Sequence, residues 1–330
     1  MQFLKQFLLK VEPFLPECLR DFIYFLFNIK LSLKGSRQIK SFLSKYSLKT
    51  QNIPDDEMDV IKHLQSLKLS KNLFNCCTFM SLMYPYKWVS EYTSVKICVR
   101  KDTNGRYFIE SDGKKLYPKF NYTKKKTKRF AKTTGIEMDV RSPHRYVTHE
   151  NYLFGTVDPP NAKLSFGENF YVKPGDIVAD IGCADGNFAL SIVDTASHVY
   201  LFEYNPEWLE ALEETFKPYK DKVTIVNKYV SNHDSANTVK LDTYFKNKEV
   251  NFIKADVDYT EADMLMGAKQ LMQNRNNIKF SICTYHYLED ASTFRTLFEN
   301  LGYHVSFTRG FVFLNGSLRK AVIRAYRQLI

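Results

Sequence analysis

The chain has 330 residues, 44% hydrophobic and 25% charged, which are values of a globular protein with room for a sizeable core. The formal charge of +11 is unevenly spread: residues 1–150 carry 28 Lys and Arg against 14 Asp and Glu, and residues 151–330 carry 19 against 22. Six scattered cysteines without Cys-x-x-Cys or Cys/His spacing exclude a disulfide scaffold and a zinc module; they read as reduced thiols in a cytoplasmic protein.

Residues 1–50 read as short helices broken at Pro13 and Pro16, with 9 basic and 3 acidic residues. Such a segment either packs on its own protein or lies on an anionic membrane surface. The apolar run Phe22–Phe27 is bounded by Asp21 and Lys30 and falls short of the ~20 residues of a spanning helix. Residues 1–12 lack the pattern of a cleaved signal. A helical stretch is expected over 55–92, opening on the acidic cluster Asp55-Asp56-Glu57. A small β-meander should follow: Ser94–Arg100 alternates, Asn104-Gly105 and Asp112-Gly113 are turn signals, and Arg106–Glu110 and Lys114–Tyr117 are the return strands. Lys124–Arg129 holds five basic residues in six, read as a solvated loop or an anion contact.

From about residue 171 the texture changes. Apolar runs at Ile177–Ile181, His198–Phe202, Val223–Val226, Val250–Ala255 and Lys279–Thr284 alternate with amphipathic stretches at Asn187–Asp194, Pro206–Phe216 and Glu261–Met272. This rhythm predicts an α/β fold, a doubly wound and mostly parallel sheet covered on both faces. Near the end, Tyr303–Thr308 and Phe311–Leu314 are separated too briefly for a parallel crossover, so an antiparallel pair is expected there. The division that follows is a basic α+β extension over residues 1–140 and a ligand-binding domain over residues 141–330.

The first strand, Ile177–Asp180, runs into Gly182-Cys-Ala-Asp-Gly186, and Asn187 opens a helix. In open α/β sheets ligands bind beyond the carboxyl ends of strands at the switch point. Gly182 and Gly186 allow a sharp turn and a close backbone approach to a ligand. A dinucleotide fingerprint needs G-x-G-x-x-G, and Cys183-Ala184 break it. The second strand ends Leu201-Phe202-Glu203, which places an acid where it can accept from both hydroxyls of a ribose. Asn205 is set to cap a helix carrying Pro206 in its first turn. A later strand, Val250–Asp258, delivers Asp256 and Asp258 to the same edge.

The spacing Asp-x-Gly-x-x-x-Gly resembles motif I of class I methyltransferases, and four motifs in order resemble the FkbM family of S-adenosylmethionine-dependent methyltransferases. They are Asp180–Gly186, Phe202-Glu203-Tyr204-Asn205-Pro206, Leu241-Asp242 and Lys254-Ala-Asp256-Val-Asp258-Tyr259, with Glu261 and Gly267-Ala268 also in keeping with the family pattern. The likeness spans about residues 142–315, with Ser142–Tyr146 as an entry segment. It implies a seven-stranded Rossmann-like sheet and S-adenosylmethionine held by Asp180, Gly182, Cys183, Ala184, Gly186, Asn187, Glu203, Tyr204 and Asp256. It also implies O-methyl transfer to a hydroxyl of a small molecule or saccharide, such as a cell-surface glycan precursor. The chain departs from the family at Asp258-Tyr259, where Glu-Gly is usual, and at Cys183, where Ala is usual.

An alcohol acceptor needs its proton removed by a group within hydrogen-bond reach. The candidates are Asp256, Asp258 and His286, the last able to titrate near neutral pH and favoured with Asp256. A divalent ion on Asp256, Asp258 and His286 is the lesser alternative. His144, His149 and His233 stand isolated in the sequence. The basic half suits a lipid- or phosphate-linked acceptor or an anionic membrane surface, with the protein cytoplasmic or peripheral to the membrane. Two rival readings remain. One is an RNA methyltransferase, disfavoured because no Asn/Asp-Pro-Pro-Tyr/Phe motif follows the fourth strand. The other is a non-catalytic scaffold that kept the fold.

Overall fold

The computed structural model describes residues 37–44, 58, 61–62, 65, 80–83, 98–111, 113–121, 170–307 and 311–327. The segment Lys124–Arg129, the entry segment Ser142–Tyr146, His144, His149 and the expected boundary near residue 140 lie outside the described residues. The chain divides into two compact units, residues 1–81 with 313–317, and residues 82–312 with 318–330. In the first unit, helix α1 (residues 37–44) buries Ile39 and Phe42, and the Phe42 ring meets Phe313 edge-on at 5.6 Å. Residues 58, 61–62 and 65 are helical as expected, and strand β1 (Met80–Met83) corrects the later part of the helix expected over 55–92. It belongs to a small three-stranded sheet with β13 (Phe311–Leu314) and β14 (Ser317–Lys320), and long-range pairing of this kind overrides local helix propensity.

In the second unit the meander is present as β2 (Cys98–Lys101), β3 (Tyr107–Ser111) and β4 (Lys114–Leu116), paired antiparallel in that order. Its two turns carry Gly105 at φ 82° and Gly113 at φ 73°, the left-handed conformation that makes Asn-Gly and Asp-Gly turn signals.

The main sheet has seven strands in the order β12-β15-β11-β10-β5-β6-β7, where β5 is Ile177–Ile181, β6 His198–Phe202, β7 Val223–Val226, β10 Phe252–Ala255, β11 Lys279–Cys283, β12 His304–Phe307 and β15 Val322–Tyr326. Only β15 runs against the others. The expected antiparallel pair therefore forms with a different partner. β12 pairs with β15, and β13 leaves the large sheet altogether, because β15 slots between β11 and β12. A two-stranded parallel ladder, β8 (Tyr229–Val230) with β9 (Thr238–Val239), follows β7.

Helices α2 (Asn187–Ile192), α3 (Pro206–Phe216), α4 (Leu241–Tyr244), α5 (Glu261–Met266), α6 (Lys269–Asn274) and α7 (Asp290–Asn300) connect these strands. The core is apolar and aromatic, with Phe202, Phe245, Phe280, Phe294 and Phe298 buried beside Ile253, Ile282 and Ile323. The single helix expected over Glu261–Met272 is two. The chain breaks at Gly267, where a Cβ would stand 2.1 Å from the Ser231 carbonyl oxygen. Asp242, in the short α4, then accepts from the Gln270 and Leu271 N–H groups at the start of α6. The Leu241-Asp242 motif is thus a helix cap in this chain.

Candidate active site

The register of the parallel strands builds the site. Ile181 is level with Phe202 on one side and with Ala255 on the other. The next residue on each strand, Gly182, Glu203 and Asp256, therefore emerges in one row along the carboxyl edge, at the point where the chain crosses from one half of the sheet to the other. A cleft of about 340 Å³ opens there, lined by Gly182, Ala184, Glu203, Tyr204, Asp256 and Asp258 among others. That size lies within the range of small-molecule sites.

Gly182 sits at φ 67°, and a Cβ on it would stand 2.0 Å from the Asp256 carbonyl oxygen. No rotamer change relieves a clash with backbone, so the crossing of β5 and β10 requires glycine here. Gly186 lies at φ 74°, and a Cβ there would meet Leu212 and Phe216 of α3 at 2.7 Å. Its role is helix packing, away from the cleft lining. Glu203 accepts from the Ala184 N–H with Oε2 (2.9 Å), and from the Tyr204 and Asn205 N–H groups with Oε1 (2.8 and 2.7 Å). A carboxylate has about four acceptor positions. Three are taken by backbone, so this acid first shapes the loop and has about one position left for a ligand hydroxyl. Asn205 accepts from the Glu207 N–H and caps α3, with Pro206 in the first turn.

Asp180 is placed behind the cleft rather than in it. It is fully buried, in register with Lys254 on the neighbouring strand, and the two ion-pair at 2.9 Å. Burial raises the Asp180 pKa and Lys254 opposes the rise. Lys254 Nζ also donates to the Gly182 carbonyl, tying the glycine loop to β10. Asp185 is buried too, accepts from the Asn187 N–H, and burial pushes it up to about 7. Cys183 and Asn187 are buried, and burial lifts the Cys183 thiol well above its usual range. Of the nine residues predicted around the cofactor, Gly182, Ala184, Glu203, Tyr204 and Asp256 face the cleft, while Asp180, Cys183, Gly186 and Asn187 form its support.

The other wall is built from side chains. Asp256 Oδ2 accepts from the Tyr285 hydroxyl at 2.9 Å, and burial raises the pKa of this acid. His286 is buried, with Nδ1 on Glu261 Oε1 at 2.8 Å and Nε2 3.8 and 3.6 Å from the Asp256 and Asp258 carboxylates. Burial works against its charge, but Asp258, Glu261 and Asp256 together override that and lift it to about 10. The three carboxylates favour the charged ring, which in that form has no lone pair to act as a base. Asp256, Glu261 and His286 bring their ligand atoms within 4.8 Å of one another, close enough to surround a cation, which would take the place of the His286 ring proton. The acid on Nδ1 is Glu261; Asp258, named with the histidine in the sequence, faces outward with its side chain 97% exposed.

Glu261, Tyr285, Trp208, Lys228, Tyr229 and Arg319 belong to the site or its support, and sequence reasoning assigned none of them a role there. Arg319 Nη1 donates to the carbonyls of Tyr285 and His286 from β14, far along the chain. His233 stands apart with Ser231 and Asn232.

No family model matches the chain. Among curated proteins, a segment of 71 residues is 35% identical to ribosomal RNA small subunit methyltransferase A of Pediococcus pentosaceus, covering 22% of this chain and 24% of that one. The chain thus spans about a quarter of the length of that relative. Similar solved structures include methyltransferase FkbM from Methylobacillus flagellatus (16% identity, TM-score 0.41, covering 57% of this chain and 54% of that one). Another is the C-terminal domain of precorrin-6Y C5,15-methyltransferase from Rhodobacter capsulatus (10%, TM-score 0.37, covering 57% and 89%). A third is M. capricolum TrmK in complex with S-adenosylhomocysteine (12%, TM-score 0.34, covering 48% and 64%). The architecture is a mostly parallel, seven-stranded Rossmann-like sheet. Among the described residues no helix is long and apolar enough to cross a membrane.

Proposed function

We propose that the protein is an S-adenosylmethionine-dependent methyltransferase that acts on a hydroxyl of a small molecule or saccharide, a cell-surface glycan precursor being the class of acceptor the FkbM resemblance suggests. The observation that carries this reading is the row Gly182, Glu203 and Asp256 on one cleft at the crossover of the sheet. The residues fit the cofactor: Gly182 leaves room for a close approach, and Glu203 retains acceptor capacity for a ribose hydroxyl. When bound, S-adenosylmethionine supplies a methyl group already activated on a sulfonium. The chain's own task is then to position the acceptor and remove its proton. Asp256 is assigned that proton: it faces the cleft, and its raised pKa makes it a better base than an ordinary surface carboxylate. Tyr285 holds one Asp256 oxygen, and the buried His286 ring beside the other keeps the carboxylate aligned.

Titration calorimetry with S-adenosylmethionine tests the first half. Saturable binding that weakens in Glu203→Ala supports it; no binding, or binding indifferent to that change, overturns it. Mass spectrometry of surface glycans with and without the gene tests the second half, through a mass difference of one CH2 per modified hydroxyl. The RNA reading draws on the name of the curated relative, and three carboxylates on the cleft weigh against an acceptor rich in phosphate.

A further inference from the structure

Five large hydrophobic residues are exposed among the described residues, and two of them, Tyr259 and Tyr287, meet beside the cleft. Exposed apolar surface gathered in one place marks a binding site more often than the same surface scattered. The rings form a run of tilted and edge-on contacts leading outward from the cleft wall. Tyr285 lies 4.4 Å from His286, His286 4.9 Å from Tyr259, and Tyr259 5.3 Å from Tyr287. The run is held in place from below. Arg319 ties the carbonyls of Tyr285 and His286, and the Tyr287 N–H donates to Asp290 at the start of α7. Tyr259 and Asp258 also occupy left-handed backbone, at φ 75° and φ 43°, a conformation that residues bearing a Cβ seldom adopt. This backbone sets the Tyr259 ring against the His286 ring at 4.9 Å and holds the solvent-exposed Asp258 carboxylate at the ledge, 3.6 Å from His286 Nε2.

We propose that the ledge of Tyr259 and Tyr287, with Asp258 at its edge, is the acceptor subsite and takes the C–H face of a neutral sugar ring. This rests on the methyltransferase reading and names its acceptor class. Charge decides between occupants. The cleft lining holds three carboxylates, Glu203, Asp256 and Asp258, and one ammonium, Lys228, which donates to the Ser235 and Ala236 carbonyls. A phosphate would meet like charge. A purely apolar partner would strand the exposed Asp258. A sugar ring offers what both parts need, because its axial C–H bonds lie flat on an aromatic face while its hydroxyls donate to the carboxylate.

The test uses the full chain, with and without saturating S-adenosylhomocysteine, in saturation-transfer NMR. The probes are methyl α- and β-hexopyranosides, adenosine monophosphate and a single-stranded oligouridine. The glycosides should receive saturation at their ring C–H protons at about 10 mM, and Tyr259→Gly and Tyr287→Ala should each weaken their binding about tenfold. Tyr259→Gly suits the left-handed backbone, so it keeps the fold, and affinity for S-adenosylhomocysteine by calorimetry should stay within about twofold. Three outcomes overturn the ledge: no glycoside signal, glycoside binding that ignores both substitutions, or ledge-dependent binding of oligouridine instead. The calorimetric arm separates the two readings. S-adenosylhomocysteine bound without any glycoside removes the ledge alone. Glycosides bound at the ledge without any S-adenosylhomocysteine binding support the ledge and remove the methyltransferase assignment.

Discussion

The two walls of the cleft are made in different ways. On the Gly182–Glu203 side one carboxylate, Glu203, gathers backbone N–H groups around the glycine loop, and every partner lies within a few residues of a strand end. On the Asp256–His286 side the contacts join side chains from β10, α5, the loop after β11 and β14. A backbone-built wall depends on strand ends and glycine positions, so it tolerates change in most side chains. A side-chain-built wall depends on charge states that each partner imposes on the others. The first suits a cofactor that does not vary; the second can be retuned for an acceptor.

The sharpest way to break this contrast is to remove the lysine that ties β10 to the glycine loop. Lys254→Met leaves Asp180 buried without its cation and releases the Gly182 carbonyl. The expected loss is about 3–5 kcal/mol in urea unfolding, and Asp180→Asn added to it should return a large part of that. A loss under about 1 kcal/mol would mean the lysine does not hold the loop to β10.

Glu203→Gln comes next. It removes a charged acceptor from three backbone donors, at about 1.5–3 kcal/mol for hydrogen bonds to a charged group, or roughly ten- to a hundredfold in S-adenosylmethionine affinity. Calorimetry reads it, and an unchanged affinity would shift the cofactor away from this wall.

The third test is pH. The folded pKa of His286 is raised from 6.5 to about 10, so its contribution is full below 6.5 and is lost as pH rises through 10. Melting temperature should therefore fall between these values, and His286→Gln should flatten that slope. A histidine ring that titrates near 6.5 by NMR would return it to the list of bases.

The smallest effect belongs to the meander. Lys119 pairs with Glu207 on α3 at a partly exposed site, and Lys119→Ala should cost under about 1 kcal/mol in the same unfolding assay. A larger cost would make the meander part of the cleft's support.

Glycine spacing and strand periodicity made the backbone wall readable. Gly182, Ala184, Glu203 and Tyr204 sit at fixed distances from apolar runs whose ends the pattern marks. Asp180 and Gly186 carried the same motif, but their work is an ion pair with Lys254 and a helix contact with α3. Motif membership does not tell a lining residue from a supporting one. His286 was visible as a titratable group at a strand end. Its charge was not, because Glu261 reaches it from 25 residues away and only folding brings the two to 2.8 Å.

By itself, then, the sequence determined the doubly wound sheet, the strand carrying the glycine loop and the failure of the dinucleotide spacing. These follow from residue order over short distances, where propensity and steric limits act. Only the tertiary structure decided that β15 rather than β13 pairs with β12, that helix Glu261–Met272 breaks at Gly267, and that His286 lies among carboxylates that favour its charged form. Each of these depends on a group brought close by packing, namely an open slot in a sheet, a carbonyl 2.1 Å from an absent Cβ, and carboxylates around a buried ring.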